Sequence, residues 1–163
     1  MIAIRNFILF RSKLFLHEQA DDQIDHWFVG GDCAGWIYAR LLPLPNLTRE
    51  TEPLMEDWGW YASVKTLDTD TSIALLIYAW NFLDHCWMVG LDPKRRFLKQ
   101  QPKNIIRAAV DCVADGIDDI IGSDDRFESF GWYERNPFDT GIKDPRNLLA
   151  NNAVNPSGKS GRF

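Results

Sequence analysis

Histidine and cysteine are scarce in this chain and no apolar run is long, and each shortage removes a class of function. Only His17, His26 and His85 are present, and neither among themselves nor with Cys33, Cys86 and Cys112 do they fall at the close spacing of a zinc site. No metal and no cofactor is expected. The three cysteines are odd in number and contain no C-x-x-C pair, which fits buried thiols in a reducing compartment instead of a disulfide framework. The longest uninterrupted apolar run, Ile73 to Trp80, has eight residues, far short of the roughly 20 that a membrane helix requires. Arg5, Arg11 and Lys13 interrupt the apolar N-terminus and no small-residue cleavage site follows, so a signal peptide is not expected. These absences together predict a cytoplasmic protein with no membrane partner.

What the chain does have is aromatic bulk. Seven Trp and ten Phe in 163 residues supply large buried areas without disulfide staples, enough for one well-packed core and too little chain for two full domains. Residues 1–135 are expected to form a single α+β domain. From Asn136 the composition drifts to Asn, Gly, Pro, Ser and Lys, so residues 136–163 read as an extended or flexible C-terminal tail.

Net charge is −5, and it is polarised along the sequence. Six basic residues (Lys94, Arg95, Arg96, Lys99, Lys103 and Arg107) stand together without an acidic one, followed by nine acidic residues between Asp111 and Asp139 against Arg126 and Arg135. A basic run can meet phosphate, but overall acidity argues against direct nucleic-acid binding.

Apolar spacing gives the elements. Ile2 to Phe10 reads as a strand, Leu14 to Leu16 as a short apolar piece, and His17 to Asp25 as a polar loop or irregular helix. Ala34, Ile37, Tyr38 and Leu41 form one helical stripe, with Asp32 as its expected N-cap and Pro43 and Pro45 ending it. In Trp58-Gly59-Trp60 a strand begins, and alternation is expected to send Trp58, Trp60, Ala62 and Val64 to one face. A polar turn over 66–72 leads to Ile73–Trp80, apolar on both faces like a central strand, and Cys86–Leu91 is a third strand of the meander. The clearest helix runs from about Lys103 to Ile121, with Pro102 at its start and Gly122 past its end. The expected fold is α+β: an antiparallel sheet of about four strands with an N-terminal helix and a longer C-terminal helix packed on it.

Few constellations could carry chemistry. Gly158-Lys159-Ser160 lacks the earlier glycine of a phosphate-binding loop, since position 153 is Ala153. Asp84-His85-Cys86 sets acid, base and thiol side by side, but neighbours in an extended segment point to opposite faces. Glu56 and Asp57 are candidate general acid and base, although adjacent carboxylates entering a strand diverge, and a structural role beside Trp58 and Trp60 is the stronger reading. No catalytic residue is assigned.

The succession Gly31-Asp32-Cys33-Ala34-Gly35-Trp36, a helix, and then Glu52-Pro53-Leu54-Met55-Glu56-Asp57-Trp58-Gly59-Trp60 resembles small bacterial α+β proteins of the Glu-Asp-Trp-Gly-Trp type. Those are similar to immunity proteins of contact-dependent or polymorphic toxin systems. The likeness spans about residues 30 to 125, with Glu56 to Trp60 its specific part. It implies a non-catalytic inhibitor that occludes a cognate toxin, the partner being a basic, nuclease-like domain. On that view Asp118, Asp119, Asp124, Asp125 and Glu128 form the expected binding face, and Glu56, Asp57, Trp58 and Trp60 belong to the scaffold or its rim. A phage or mobile-element inhibitor of a host nuclease or defence complex would use the same acidic mimicry. A small hydrolase-like enzyme using Glu56 or Asp57 is the remaining alternative.

Overall fold

The backbone meander expected in the middle of the chain forms one side of a larger sheet. The computed structural model describes residues 5–15, 30–81, 85–93 and 101–137. Among them, six strands make one antiparallel sheet: β1 (Phe7–Arg11), β2 (Leu47–Glu56), β3 (Gly59–Thr66), β4 (Thr71–Asn81), β5 (Cys86–Pro93) and β6 (Glu128–Tyr133), in the order β2-β3-β4-β5-β1-β6. Helix α1 (Gly31–Leu41) connects β1 to the far edge strand β2, and α2 (Lys103–Gly122) connects β5 to β6. The α+β class and both helices agree with expectation, but the sheet has six strands instead of about four and neither helix is terminal, since β1 precedes α1 and β6 follows α2.

Both helices lie on one face. Alternation puts Ile8 and Phe10 of β1, Ala62 and Val64 of β3, Ile73, Leu75 and Ile77 of β4, and Trp87 and Val89 of β5 into one core with Ile37 and Leu41 of α1 and Val113 and Ile117 of α2. Leu9, Cys86, Met88 and Tyr133 form a smaller buried cluster on the opposite face. Each fully buried side chain of this size contributes roughly 1.5–3 kcal/mol relative to exposure, so the helix-bearing face dominates.

Aromatic residues seat the helices. Trp87 is fully buried and its indole N–H donates to the Ser12 carbonyl at 3.3 Å. Phe15 meets Trp87, Trp36 and Phe127 edge-on at 5.6, 5.8 and 5.9 Å, Trp36 stacks on Phe127 at 4.8 Å, and the Arg40 guanidinium lies 4.1 Å from the Trp36 ring centre. The start of α1 rests on Trp60. A methyl group on Gly31 would sit 2.6 Å from Trp60 Cζ2, so only glycine lets the helix come this close. The N-cap is Gly30, in a left-handed conformation (φ 113°), and not Asp32 as expected. Asp32 falls inside the first turn, where its carboxylate accepts from the Cys33 N–H at 2.8 Å and complements the helix dipole.

The expectations for Ile2 to Ile4, Leu16, the His17–Asp25 segment, Lys94 to Lys99 and the tail from 138 onward concern residues outside those described. No helix among the described residues is long and apolar enough to cross a membrane.

The close approach at Gly31 yields opposite signs for two glycines of one helix. Gly31→Ala should lower stability by about 1–3 kcal/mol through overpacking against Trp60. Gly35→Ala, whose new methyl meets nothing within 4 Å, should raise it by about 0.5–1 kcal/mol through helix propensity. Urea midpoints for the two variants check both; equal shifts would contradict the seating of α1 on Trp60.

Candidate functional site

The expected acidic face is largely spoken for. α2 carries Asp111, Asp115 and Asp118 at i, i+4 and i+7, a spacing that lines them along one side of the helix. Arg5, just ahead of β1 and only 10 % exposed, reaches all three, at 3.2, 2.6 and 3.4 Å. Arg107 adds a second cation to Asp111 at 3.0 Å. Trp132 of β6 donates its indole N–H to Asp118 at 2.8 Å and lies under the Arg5 guanidinium, 6.0 Å from the ring centre. Burial pushes the Asp118 carboxyl up, against the opposing pull of the Trp132 N–H and of Arg5. Burial works against the charge on Arg5, yet its bonds to Asp115 and then Asp111 outweigh that and hold its pKa above the ordinary value.

Two more of the expected partner-binding residues are similarly engaged. Asp124 accepts from the Arg126 backbone N–H at 3.1 Å and from its guanidinium at 2.9 and 2.6 Å, an arrangement that lowers the Asp124 pKa to about 2. Glu128 pairs with Arg11 at 3.0 Å across the β1–β6 ladder. Asp119 and Asp125 are exposed and make no ion pair among the described residues. So the five acids expected to form a binding face divide into three that brace the fold and two that are free.

The Glu56-Asp57-Trp58-Gly59-Trp60 motif is the β2–β3 hairpin. Glu56 pairs with Gly59, leaving Asp57 and Trp58 as a two-residue loop. Gly59 has φ 155° and a methyl there would lie 2.6 Å from the Ile77 carbonyl oxygen, so the turn demands glycine. This breaks the alternation expected for the tryptophans. Trp60 is on the helix face with Ala62 and Val64, whereas Trp58 stands in the loop, 40 % exposed, and packs on Tyr78 at 5.1 Å on the opposite face. Leu54 and Met55 are 39 % and 42 % exposed beside it. The side chains of Glu56 and Asp57 are exposed in this turn and neither makes an ion pair or hydrogen bond among the described residues.

Elsewhere the chemistry-bearing groups are dispersed. Cys33 and Cys86 are buried, Cys112 is half-buried, and burial pushes the Cys33 thiol well up, assisted by Asp32. A depressed thiol pKa, which a nucleophilic cysteine needs, is the reverse of this. His85 and Cys86 are neighbours in chain, with His85 in a left-handed conformation (φ 51°), while Asp84, His17 and His26 lie outside the described residues. No group of three metal-ligating side chains occurs among the described residues. A cleft of about 270 Å³ lies between β5 and the first turns of α2, lined by Asn6, Asp92, Lys103 and Arg107 among others, and it includes neither Glu56 nor Asp57.

No protein-family model, curated protein or solved structure matches the chain.

Sequence reasoning did not find Arg5. The residue appears there only as an interruption of an apolar stretch, and its three partners are more than a hundred positions away. The i, i+4, i+7 acidic spacing on α2 was the signal that a cation must face it.

Replacing Arg5 by Met, which keeps volume and removes charge, should cost on the order of 2 kcal/mol, less than for a fully buried pair because Asp115 is well exposed. Burial already pushes the Asp118 carboxyl up and Arg5 pulls against it, so without the cation the ionised form of Asp118 is further disfavoured in the folded state, and the deficit should be largest above the carboxylate range and shrink as pH falls through it. Denaturant unfolding at several pH values reads this, and a pH-independent deficit would refute it. For Asp124, whose folded pKa is depressed, the stabilisation is complete above its ordinary pKa of about 4 and is lost as pH falls through about 2. Carbon-detected NMR titration should show that midpoint rising toward about 4 in Arg126→Ala.

Proposed function

We propose that the protein is a non-catalytic inhibitor that acts by binding another protein: an immunity protein that neutralises a cognate bacterial toxin by covering its active site, the toxin domain being basic and nuclease-like. The observation that carries this reading is the state of the charges. Carboxylates outnumber Lys and Arg by sixteen to ten among the described residues, and six of those ten cations (Arg5, Arg11, Arg49, Lys65, Arg107 and Arg126) are held in internal ion pairs. The field offered to an approaching macromolecule is therefore negative. It repels phosphate and attracts a surface evolved to hold phosphate, which is what a basic nuclease domain presents.

Occlusion asks for no catalytic set, only for a rigid fold and complementary charge. The network that ties α2 to the sheet supports rigidity. Asp119 and Asp125, which make no ion pair among the described residues, support steering, and they supply a cleaner test than the braced acids around them.

With the intact protein as bait in its native host, a basic nuclease-like protein should be recovered, and an equimolar amount of bait should abolish that protein's activity. Asp119→Lys with Asp125→Lys should then slow association about tenfold at low ionic strength and less at 0.15 M salt, with dissociation little changed. Recovery of no basic partner, or of one whose activity is unaffected, would overturn the reading; a host nuclease or defence complex in place of a toxin would reassign the target.

A further inference from the structure

We infer that the tip of the β2–β3 hairpin is the face that receives the partner, with Trp58 and Leu54 seating an arginine- or lysine-bearing apolar segment of a basic protein and Glu56 and Asp57 pairing with its cations. The inference rests on the protein-binding reading above and names the surface through which it operates.

Three of the four large apolar side chains that stand well exposed among the described residues, Leu54, Met55 and Trp58, fall within five positions of this one turn. The register explains how they are displayed. Leu54 is opposite Tyr61, and Tyr61 opposite Leu76, so Leu54 shares the helix-free face with Tyr78, on which Trp58 lies. Met55 is opposite Trp60 and shows on the other side of the same hairpin. An exposed indole held in place by a second ring is the kind of anchor that dominates protein interfaces, since it offers large area at little cost in side-chain freedom.

The charge around this anchor selects the occupant. The side chains of Glu56 and Asp57 are exposed at the turn and have no ion-pair partner among the described residues, and carboxylates beside an aromatic face form the two halves of a guanidinium seat, one by ion pairing and one by cation–π contact. A second copy of this chain would bring the same carboxylates against themselves, and an anionic bilayer or a phosphate backbone would be repelled. Docking by main-chain pairing along β2 is also obstructed. The strand carries Pro53, exposed Arg49, Glu50 and Glu52, and two register shifts, between Arg49 and Thr51 and between Thr51 and Leu54. Those are features that close a sheet edge to a further strand, so contact is left to the side chains of the tip.

The test uses the intact, isotope-labelled protein and short synthetic peptides: one alternating arginine and leucine, one of arginine alone, and one alternating glutamate and leucine. Amide signals of Leu54 to Gly59 and of Tyr78 should shift with the arginine–leucine peptide, less with arginine alone, and not with the glutamate peptide. Trp58→Ala should weaken that binding about tenfold, and Glu56→Gln with Asp57→Asn should remove its salt dependence; both sets lie at exposed positions, and unchanged signals elsewhere verify the fold. Shifts confined to another surface, or no shift with any peptide, would overturn the inference. So would shifts of the tip that follow protein concentration alone or added phosphatidylglycerol vesicles, which would assign the patch to self-association or to a membrane. Peptide docking at the tip combined with failure to inhibit any captured partner would sink the occlusion reading and leave the docking surface standing.

Discussion

A single buried cation sets the terms for the rest of this molecule. Arg5 stands at the entry to β1, where the backbone of Asn6 bonds to Tyr133 of one neighbouring strand and receives the Leu91 amide of the other. Its guanidinium therefore projects from the middle of the β5–β1–β6 region, and α2 must bring a counter-charge to it. Three aspartates on one side of the helix do so. A lone buried guanidinium would be prohibitively costly, and three adjacent carboxylates without it would repel; each is tolerated because of the other. The pairing fixes the rotation of α2 about its own axis, which places Val113 and Ile117 over the sheet.

That constraint reverses the natural interpretation of the acidic segment. Charge density along the sequence peaks between Asp111 and Glu128, but the structure consumes most of it: Asp111, Asp115 and Asp118 against Arg5, Asp124 against Arg126, and Glu128 against Arg11. Among the described residues, carboxylates without an ion pair persist at Asp119 and Asp125 and at the β2–β3 turn. Formal charge counted along a chain and charge available to a partner are different quantities, separated by the ion pairs that fold the chain.

How much was legible in the sequence follows from which signals are local. Both helices could be read because their stripes are periodic over two turns in α1 and more in α2, and α2 begins at Lys103 and ends within one residue of the expected position. The β3–β4–β5 meander was legible because each strand buries one full face. β2 was not, since its sequence Leu-Thr-Arg-Glu-Thr-Glu-Pro-Leu-Met-Glu lies at the sheet edge with most positions exposed, and exposure erases the alternation that marks a strand. β6 is a six-residue edge strand whose register slips against β1 between Leu9 and Phe10, too short and irregular to declare itself. Trp58 was assigned to the wrong face because period-two counting assumes an unbroken strand, and the positive φ of Gly59 breaks it. The Arg5 network was beyond local reading altogether, because its partners meet only after the sheet has closed.

Placement at an edge also explains how one hairpin can be both apolar and safe. A sheet edge that is long, flat and hydrophobic recruits further strands, and natural sheets avoid this with charge, proline and bulges. β2 has all three along its middle, and its exposed apolar residues are confined to the last positions before the turn. There the backbone reverses, so main-chain pairing has nowhere to extend, while side chains remain free to pack. On the proposed reading this separation divides recognition into two ranges. The unpaired carboxylates act over about a Debye length, some 8–10 Å at physiological salt, and raise the rate of encounter. Trp58 and Leu54 act only at contact, where burial of an indole against a complementary surface slows departure. Selectivity among basic partners would then reside at the tip, since every basic protein feels the field and few can fill the seat beside Tyr78.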